Sequence, residues 1–418
     1  MINITDYVRK YGNRSLDDLP FGEVDSLILS QLSYLKFDSV IFIDETVTLR
    51  QISRRPGIDD AFLDKRYEKI NRELFQAASE SVRYGNMYLK NYVNIVDPKK
   101  EIQFCAVTFL FPGKLAYVAF RGTDDSITGW KEDFNMVYES PVPAQLHALS
   151  YLNNIVDRLG SVIYVGGHSK GGNLAVYSCA KLSDEKKSKI KRIYSHDGPG
   201  FTSGTITDIE KAFVRKHLRK SVPASSIVGM LLTETDDLDV VECKGVALMQ
   251  HNPFNWAISD HRFKRDKLRK RASMQDESIN RWLISMSEDE LKVFVKTVFE
   301  LFDKAGVTNV NEFYYNLGDV ILRMAKAADN IDEDRKQLMH AFLRQLVISG
   351  RKTPFEGTVS EFLRLHKDFS EFIRNLQDRI NGNPDRINGK QGRKAIAAPG
   401  RSARSKAGVR GIQDKKDT

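Results

Sequence analysis

Cysteine is scarce in this sequence, and its scarcity excludes several kinds of site. The 418 residues include three cysteines, Cys105, Cys179 and Cys243, each in an apolar or strand-like stretch and none in a C-x-x-C pair. This pattern predicts small core residues in a reducing compartment rather than a disulfide framework. Because no spacing typical of zinc ligands occurs, we expect neither a metal ion nor a cofactor.

Long hydrophobic runs are also missing. No segment approaches the roughly 20 apolar residues that a membrane-spanning helix needs. The first ten residues, MINITDYVRK, contain no apolar core of the kind found in secretory signals. We therefore expect a cytoplasmic protein.

Positive charge is concentrated near one end of the chain. Residues 385–418 contain ten Lys or Arg and three Asp, so they carry +7 of the total net charge of +9. The segment has no aromatic residue and five glycines, a composition typical of disorder. We predict a disordered basic tail that keeps the protein soluble. Weak attachment to an anionic partner, RNA or anionic lipid, is the alternative, and no specific nucleic-acid partner is predicted.

The most informative motif is a G-x-S-x-G element centred on Ser169. It follows the apolar stretch Ser161–Val165 and precedes the segment Asn173–Ala180, which repeats apolar residues at helical spacing. A serine between a strand and a helix, with glycines two positions before and after it, is typical of a nucleophile elbow. The sequence therefore predicts that Ser169 is a nucleophile held at the amino end of a helix.

A second strong signal lies upstream. The apolar stretch Leu115–Phe120 predicts a strand, and it ends in Arg121-Gly122-Thr123. A strand that ends in a small, flexible loop can aim a backbone N–H at a developing oxyanion.

Together these motifs resemble those of the class 3 lipases, which are α/β-hydrolases. The resemblance is carried by residues 119–123, by Gly129-Trp130 with Asp133, and by residues 167–171. More closely, the chain resembles a bacterial branch of uncharacterised α/β-hydrolases related to these lipases. That likeness extends from the N-terminus to about residue 380 and adds the matching segments 25–34, 197–201 and 250–254.

The resemblance implies an oxyanion hole. Its donors would be the backbone N–H groups of Thr123 and of Lys170, the residue after the nucleophile, with the Thr123 hydroxyl as a third donor. Arg121 and Trp130 would brace the loop rather than take part in catalysis.

The general base is expected among the histidines that follow the elbow, because α/β-hydrolases order their triad Ser, acid, His along the chain. His251 is the best candidate, since it follows the short apolar stretch Val246–Met249, which predicts a strand, and precedes the turn-forming pair Asn252-Pro253. His196 comes too soon after Ser169 to leave room for an acid between them. The other histidines after the elbow are His217, His261, His340 and His366.

The acid of the triad is the most open assignment. Asp237 is the first choice and Asp236 the second, because both lie in an acidic loop after the predicted strand Ser226–Leu232. Asp197 is a third option in a variant arrangement, although we prefer to interpret residues 197–200 as a wall of the acyl pocket.

The predicted architecture is α/β: an α/β-hydrolase fold whose mostly parallel sheet has helices on both faces, followed by a C-terminal helical module and the basic tail. The hydrolase domain covers residues 1–260, including an N-terminal helical region with helices expected over 24–35 and 77–91. A further helix is expected over 144–159, ending at Gly160. The basic run 261–271 predicts a linker or an exposed helix. Residues 276–380 form the helical module, whose apolar stripe favours core packing over a lid, a dimerisation element or a partner-binding adaptor.

The predicted function is that of a serine hydrolase that cleaves carboxylic esters through an acyl-enzyme, with Ser169, His251 and Asp237 as the triad. The resemblance implies a lipid or acylglycerol ester as substrate, and a small ester or thioester is compatible with the same chemistry. The alternative is a non-catalytic scaffold of α/β-hydrolase fold that binds a partner. A peptidase is a weaker option because no peptide-binding subsite is evident. The sequence assigns no oligomeric state.

Overall fold

A computed structural model describes nearly all of the predicted hydrolase domain. The described residues are 1–42, 45–62, 67–124, 126–160, 162–226, 228–233, 237–245, 247–268 and 286–307, with the single positions 312, 319, 320, 323, 324 and 327. By its contacts the chain divides into Met1–Phe362 and Leu363–Thr418, and all described residues belong to the first unit. The predicted basic tail and most of the predicted helical module lie outside the described residues.

The centre of the molecule is an eight-stranded sheet in which each strand pairs with the next along the chain. The pairs from β1 to β4 are antiparallel and those from β4 to β8 are parallel. A separate two-stranded hairpin, β9 and β10, follows. The strands are β1 (Val47–Thr48), β2 (Tyr88–Asp97), β3 (Ile102–Phe111), β4 (Leu115–Phe120), β5 (Val162–His168), β6 (Ile190–His196), β7 (Leu218–Pro223), β8 (Asp239–Val241), β9 (Ile258–Ser259) and β10 (Arg262–Phe263).

Helices connect the parallel strands and cover the sheet. In the described part of the chain they are α1 (Ile4–Tyr11), α2 (Glu23–Leu32), α3 (Leu49–Ile52), α4 (Glu68–Glu80), α5 (Val82–Gly85), α6 (Ile127–Asn135), α7 (Pro143–Ile155), α8 (Lys170–Lys181), α9 (Asp184–Lys187), α10 (Asp208–His217) and α11 (Glu288–Lys304). Short 3₁₀ turns occur at Val228–Met230, Ala247–His251 and Pro253–Asn255, among other places.

Alternate residues of the central strands face two separate hydrophobic cores. Phe109 and Tyr117 face a core that α1, α2 and α4 cover, whereas Val118 and Phe120 face a core that α7, α8 and α10 cover. A sheet buried on both faces needs apolar side chains at every position, and β4 is buried throughout. A mostly parallel sheet with helices on both faces and a strand–serine–helix elbow at its centre is the α/β-hydrolase fold that the sequence predicts.

Several local predictions are wrong. The stretch 77–91 is not one helix: α4 ends at Glu80, α5 is a single turn, and β2 begins at Tyr88. The described parts of 226–232 and 246–249 form turns and 3₁₀ helix rather than strands. A short apolar run does not by itself distinguish a strand from a short helical segment.

Two other predictions concern the end of α7 and the basic run 261–271. Helix α7 continues as a 3₁₀ turn and stops before Gly160, whose positive φ of 54° fits the predicted helix stop. The basic run is neither a linker nor a helix over its described residues 261–268. It contains strand β10, and Arg265 forms ion pairs with Glu23 and Asp239.

The described part of the predicted helical module is the single helix α11. Ser287 caps it, with a reciprocal hydrogen bond to Glu290, and its apolar stripe is buried. Phe299 of α11 packs edge-on against Phe134 of α6, with ring centroids 5.6 Å apart. The stripe therefore serves as core at this position. Among the described residues, no helix is both long and apolar enough to cross a bilayer.

Helix α2 is anchored by a buried ion pair. The Asp25 carboxylate accepts hydrogen bonds from Arg83 Nε at 2.6 Å and Nη2 at 2.8 Å, and also from the Tyr84 hydroxyl. Both charged side chains are fully buried. Removing one member of such a pair leaves an uncompensated charge in the core.

We expect Asp25→Ala to lower the free energy of unfolding by about 3–5 kcal/mol, because Arg83 would lose its buried counter-ion. Urea unfolding followed by tryptophan fluorescence measures this change. The matched control is Glu73→Ala, which removes the exposed partner of Arg9 and should cost less than about 1 kcal/mol. Equal, small effects of the two substitutions would contradict this account of α2.

Candidate active site

Ser169 lies at the turn between β5 and α8 and has an uncommon backbone conformation. Its φ is 58° and its ψ is −133°, a region that residues other than glycine rarely occupy and that costs on the order of 1–3 kcal/mol. The turn is tight because Gly167 and Gly171 touch: a Cβ on Gly167 would lie 2.3 Å from the carbonyl carbon of Gly171. The local geometry is that of a nucleophile elbow.

The neighbouring strand holds the elbow in place. Parallel pairing of β5 with β6 sets His168 opposite His196. The N–H of Ser169 then donates to the carbonyl oxygen of His196 at 2.9 Å. As a result, Ser169 and the residue after His196, which is Asp197, leave the sheet side by side at its carboxyl edge.

The structure brings His251 and Asp197 together. His251 Nδ1 lies 2.7 Å from Asp197 Oδ2, and the Asp197 carboxylate is fully buried while the imidazole keeps some exposure. Since a carboxylate only accepts, Nδ1 carries the proton and Nε2 is left as the basic nitrogen.

Further hydrogen bonds fix the position of Asp197. Its other oxygen, Oδ1, accepts hydrogen bonds from the Ser226 hydroxyl and from the N–H of Gly229 at 3.1 Å. Its own N–H donates to the carbonyl of Ser221 at 2.8 Å, and its φ of 51° is one that aspartate tolerates better than most residues. A carboxylate fixed by these contacts can orient an imidazole.

The first choice for the triad acid, Asp237, is not the partner of His251. It is exposed and lies two residues before β8, whereas the carboxylate that His251 Nδ1 contacts is that of Asp197. The second choice, Asp236, lies outside the described residues. Asp197, which the sequence analysis interprets as part of a pocket wall, is the carboxylate that contacts His251.

The two predicted oxyanion donors lie on segments that touch. A Cβ on Gly171 would lie 2.1 Å from the carbonyl oxygen of Phe120, and one on Gly122 would lie 2.6 Å from that of His168. The end of β4, which leads to Thr123, therefore packs directly on the elbow. Lys170 is the first residue of α8, so its backbone N–H has no partner within the helix. This arrangement is compatible with an oxyanion hole built from the N–H groups of Thr123 and Lys170.

The Thr123 hydroxyl does not face the site as a free donor. It donates to Asp133 Oδ2 on α6. While Asp133 is ionised and accepts this hydrogen bond, the Thr123 hydroxyl cannot serve as the predicted third oxyanion donor. Loss of water around Asp133 raises the pKa of its carboxyl to about 6, against the opposing effect of the Lys170 charge. The contact instead fixes the loop that carries the Thr123 N–H.

The side chain of Lys170 is the centre of a buried polar cluster, which we call the Lys170 cluster: Lys170, Gln103, Glu132 and Asp133. Lys170 Nζ donates to Gln103 O at 3.0 Å, to Gln103 Oε1 at 2.7 Å and to Glu132 Oε2 at 2.9 Å, and it lies 3.5 Å from Asp133 Oδ1. Because Asp133 also accepts a hydrogen bond from Thr123, the cluster ties together the two segments that carry the predicted oxyanion donors.

Arg121 contacts the loop that the resemblance implies it braces. Its buried guanidinium donates from Nη2 to Asn94 at 2.8 Å and lies 3.5 Å from Asp124. Trp130 packs against Phe134 within α6, with ring centroids 6.4 Å apart. Neither contact involves Ser169, Asp197 or His251.

Sequence reasoning missed Glu132 and Gln103. The signal that could have found them is Lys170, the residue after Ser169, because a buried lysine needs hydrogen-bond acceptors around its ammonium group. Glu132, next to Asp133, was the natural candidate. Within the described residues, no group of three or more His, Cys, Asp or Glu is arranged to hold a metal ion.

Comparison with known families identifies the chain. Residues 78–300, just over half of the sequence, match the Mbeg1-like family. The chain belongs to the Mbeg1-like family. The matched range contains Thr123, Ser169, Lys170, Asp197 and His251, but not α2. A search of curated proteins gives no match to this Mbeg1-like sequence.

Solved structures similar to this Mbeg1-like protein include several lipases. The M37 lipase is 17% identical over 49% of this chain and 68% of its own, with a TM-score of 0.32. A Rhizomucor miehei lipase propeptide complex is 15% identical over 56% and 80%, with a TM-score of 0.35. The lipase from Rhizopus microsporus var. chinensis is 13% identical over 60% and 90%, with a TM-score of 0.30.

The raised pKa of Asp133 predicts a pH-dependent stability. A carboxyl whose pKa is higher in the folded than in the unfolded chain stabilises the fold below its unfolded pKa, and that stability is lost as the pH rises through about 6. The melting temperature of the wild type relative to Asp133→Asn should therefore rise on the order of 2–3 °C as the pH falls from 7 to 5.

Asp124→Asn is the matched control. Burial raises the pKa of Asp124, but the nearby Arg121 charge and hydrogen bonds from Ser126 lower it by more. Asp124 therefore titrates below the range from pH 5 to pH 7. The melting-temperature difference for Asp124→Asn should be the same at pH 7 and pH 5. A constant difference for Asp133→Asn would show that Asp133 is not the titrating group.

Proposed function

We propose that this Mbeg1-like protein is a serine hydrolase that cleaves carboxylic esters through an acyl-enzyme, with Ser169, His251 and Asp197 as its triad. The observation that carries the proposal is the contact between His251 Nδ1 and the buried Asp197, beside a serine in a strained elbow. A strained nucleophile is retained where it has a use, because the strain costs stability.

Each residue has a role in the proposed reaction. Ser169 Oγ attacks the ester carbonyl while His251 Nε2 accepts its proton, and His251 then delivers that proton to the leaving alcohol. Water, deprotonated by the same nitrogen, hydrolyses the acyl-enzyme. Asp197 keeps the proton of the imidazole on Nδ1 and stabilises the imidazolium that forms.

The oxyanion would be held by the N–H groups of Thr123 and Lys170. Both belong to backbone that the Lys170 cluster fixes in advance, so little reorganisation is needed when charge develops. The amino end of α8 adds a favourable dipole at the same point.

We propose a lipid or acylglycerol ester as the substrate. The class 3 lipase motifs of the sequence support this class, and Met249 supports it as an exposed apolar side chain, 56% accessible, in the same 3₁₀ turn as His251. Hydrolysis of p-nitrophenyl esters of increasing acyl length tests the choice. A lipid substrate requires kcat/KM to rise with chain length, whereas a maximum at acetate would favour a small ester.

A fluorophosphonate probe tests the proposed triad directly. We expect Ser169→Ala to abolish labelling and His251→Ala to slow it severely, because the probe reacts only with an activated serine. Asp197→Asn should slow labelling by about 10³–10⁴, since an amide at this position favours the wrong tautomer of the base. Circular dichroism of each variant checks that it is folded.

Asp237→Asn is the matched control, because it makes the same chemical change on an exposed loop next to β8. It should label at the wild-type rate. If Asp237→Asn slowed labelling as much as Asp197→Asn, the assignment of the acid would be wrong. A folded wild type that no probe labels would favour the non-catalytic scaffold instead.

A further inference from the structure

Two buried histidines next to the triad have no part in the proposed reaction. His168 immediately precedes Ser169, and His196 immediately precedes Asp197. They pair with each other across β5 and β6, and both are nearly inaccessible to solvent. A buried imidazole needs a reason to be retained, since an apolar side chain would pack at lower cost.

His196 is held by α2. Its Nε2 lies 2.8 Å from Ser26 Oγ, which also contacts the Tyr117 hydroxyl at 2.8 Å, and Ser30 contacts the same hydroxyl at 2.9 Å. Burial lowers the pKa of His196 to about 3, so it stays neutral. These hydrogen bonds fix the end of β6. The carbonyl of its last residue, His196, accepts the hydrogen bond from the N–H of Ser169.

His168 differs because it reaches the base itself. Its Nε2 lies 2.8 Å from the backbone carbonyl oxygen of His251, and its Nδ1 lies 3.1 Å from the hydroxyl of Tyr34, two residues after α2 ends. The carbonyl can only accept, so His168 Nε2 donates, and in the neutral ring Nδ1 accepts from Tyr34. The two imidazoles also pack together, with ring centroids 4.5 Å apart.

His168 thus contacts His251 at two points, one on the backbone and one on the ring. Its own ring nitrogens are engaged by Tyr34 and by His251, so it is not placed to act as a base. Because His251 lies in a short 3₁₀ turn rather than in a strand or long helix, contacts from outside this turn must define where its imidazole lies.

We propose that His168, oriented by Tyr34, is a positioning residue that holds His251 in reach of Ser169. The inference rests on the proposed function and adds a residue to it. It also gives a purpose to the N-terminal segment 25–34, which precedes the range matched by the family: this segment contacts the residue before each of Ser169 and Asp197.

The test compares His168→Leu, which removes the donor, with His168→Gln, whose amide nitrogen can occupy the place of Nε2. Saturation kinetics of fluorophosphonate labelling separate the maximal rate from the apparent affinity for the probe. We expect Leu to lower the maximal rate about 10- to 100-fold with unchanged affinity, because a small displacement of a catalytic group has effects of this size. Gln should recover most of the rate.

Hydrogen exchange of peptides covering residues 247–255 gives a second readout that does not require catalysis. Exchange there should increase in His168→Leu and return toward the wild-type rate in His168→Gln. Tyr34→Phe should lower the maximal rate by a smaller factor, about 2- to 5-fold, and it remains informative if His168→Leu does not fold. Tyr92→Phe, which loses a hydroxyl bonded to Asp38, is the matched control and should change neither readout.

Equal loss of rate in the Leu and Gln variants, or unchanged exchange over residues 247–255 in both His168→Leu and Tyr34→Phe, would overturn the inference. The proposed function fails in a different way: the wild type would not be labelled, whereas the exchange difference between Leu and Gln would persist. The two failures are therefore distinguishable.

Discussion

The parallel pairing of β5 with β6 sets the geometry of the whole candidate site. Its register sets His168 opposite His196, so the next residues, Ser169 and Asp197, leave the sheet together at the carboxyl edge. Both take a positive φ, and the N–H of Ser169 is bound by the carbonyl of His196. A shift of one residue in this register would turn every side chain of β6 to the opposite face and separate Ser169 from Asp197, the proposed nucleophile and acid.

His251, the third residue of the proposed triad, reaches this edge through loop contacts rather than through the sheet. The preceding residue, Gln250, is fully buried: its Oε1 accepts from the N–H of Ser225 at 2.7 Å, and its backbone carbonyl accepts from Trp256 Nε1 at 2.9 Å. Ser225 lies just after β7, so these bonds fasten the His251 turn to the sheet. On the side of the proposed oxyanion donors, ion pairs of Lys170 with Glu132 and Asp133 hold α6 against the elbow.

The predictable parts of this molecule were those with local signatures. The elbow at Ser169 and the strand over 115–120 follow from glycine spacing and apolar runs, which depend on near neighbours in the chain. From the sequence Asp197 is only the third choice for the acid, because its position depends on which strand lies beside β5, and the order of residues in the sequence does not show this. The acidity of its loop favours Asp237 in the sequence, yet carboxylates are common at exposed positions whether or not they take part in catalysis. His168 was hidden inside the motif itself, where only its neighbour, Ser169, had an evident chemical use.

A crystal structure of the protein after reaction with a phosphonate ester would test the proposed triad and oxyanion hole together. We expect a covalent bond from Ser169 Oγ to phosphorus and a phosphonyl oxygen about 2.7–3.1 Å from the N–H groups of Thr123 and Lys170. His251 Nδ1 should remain hydrogen-bonded to Asp197, with Nε2 facing the adduct. An adduct on another residue, or a His251 turned away from Asp197 toward a different carboxylate, would rule out the proposed triad.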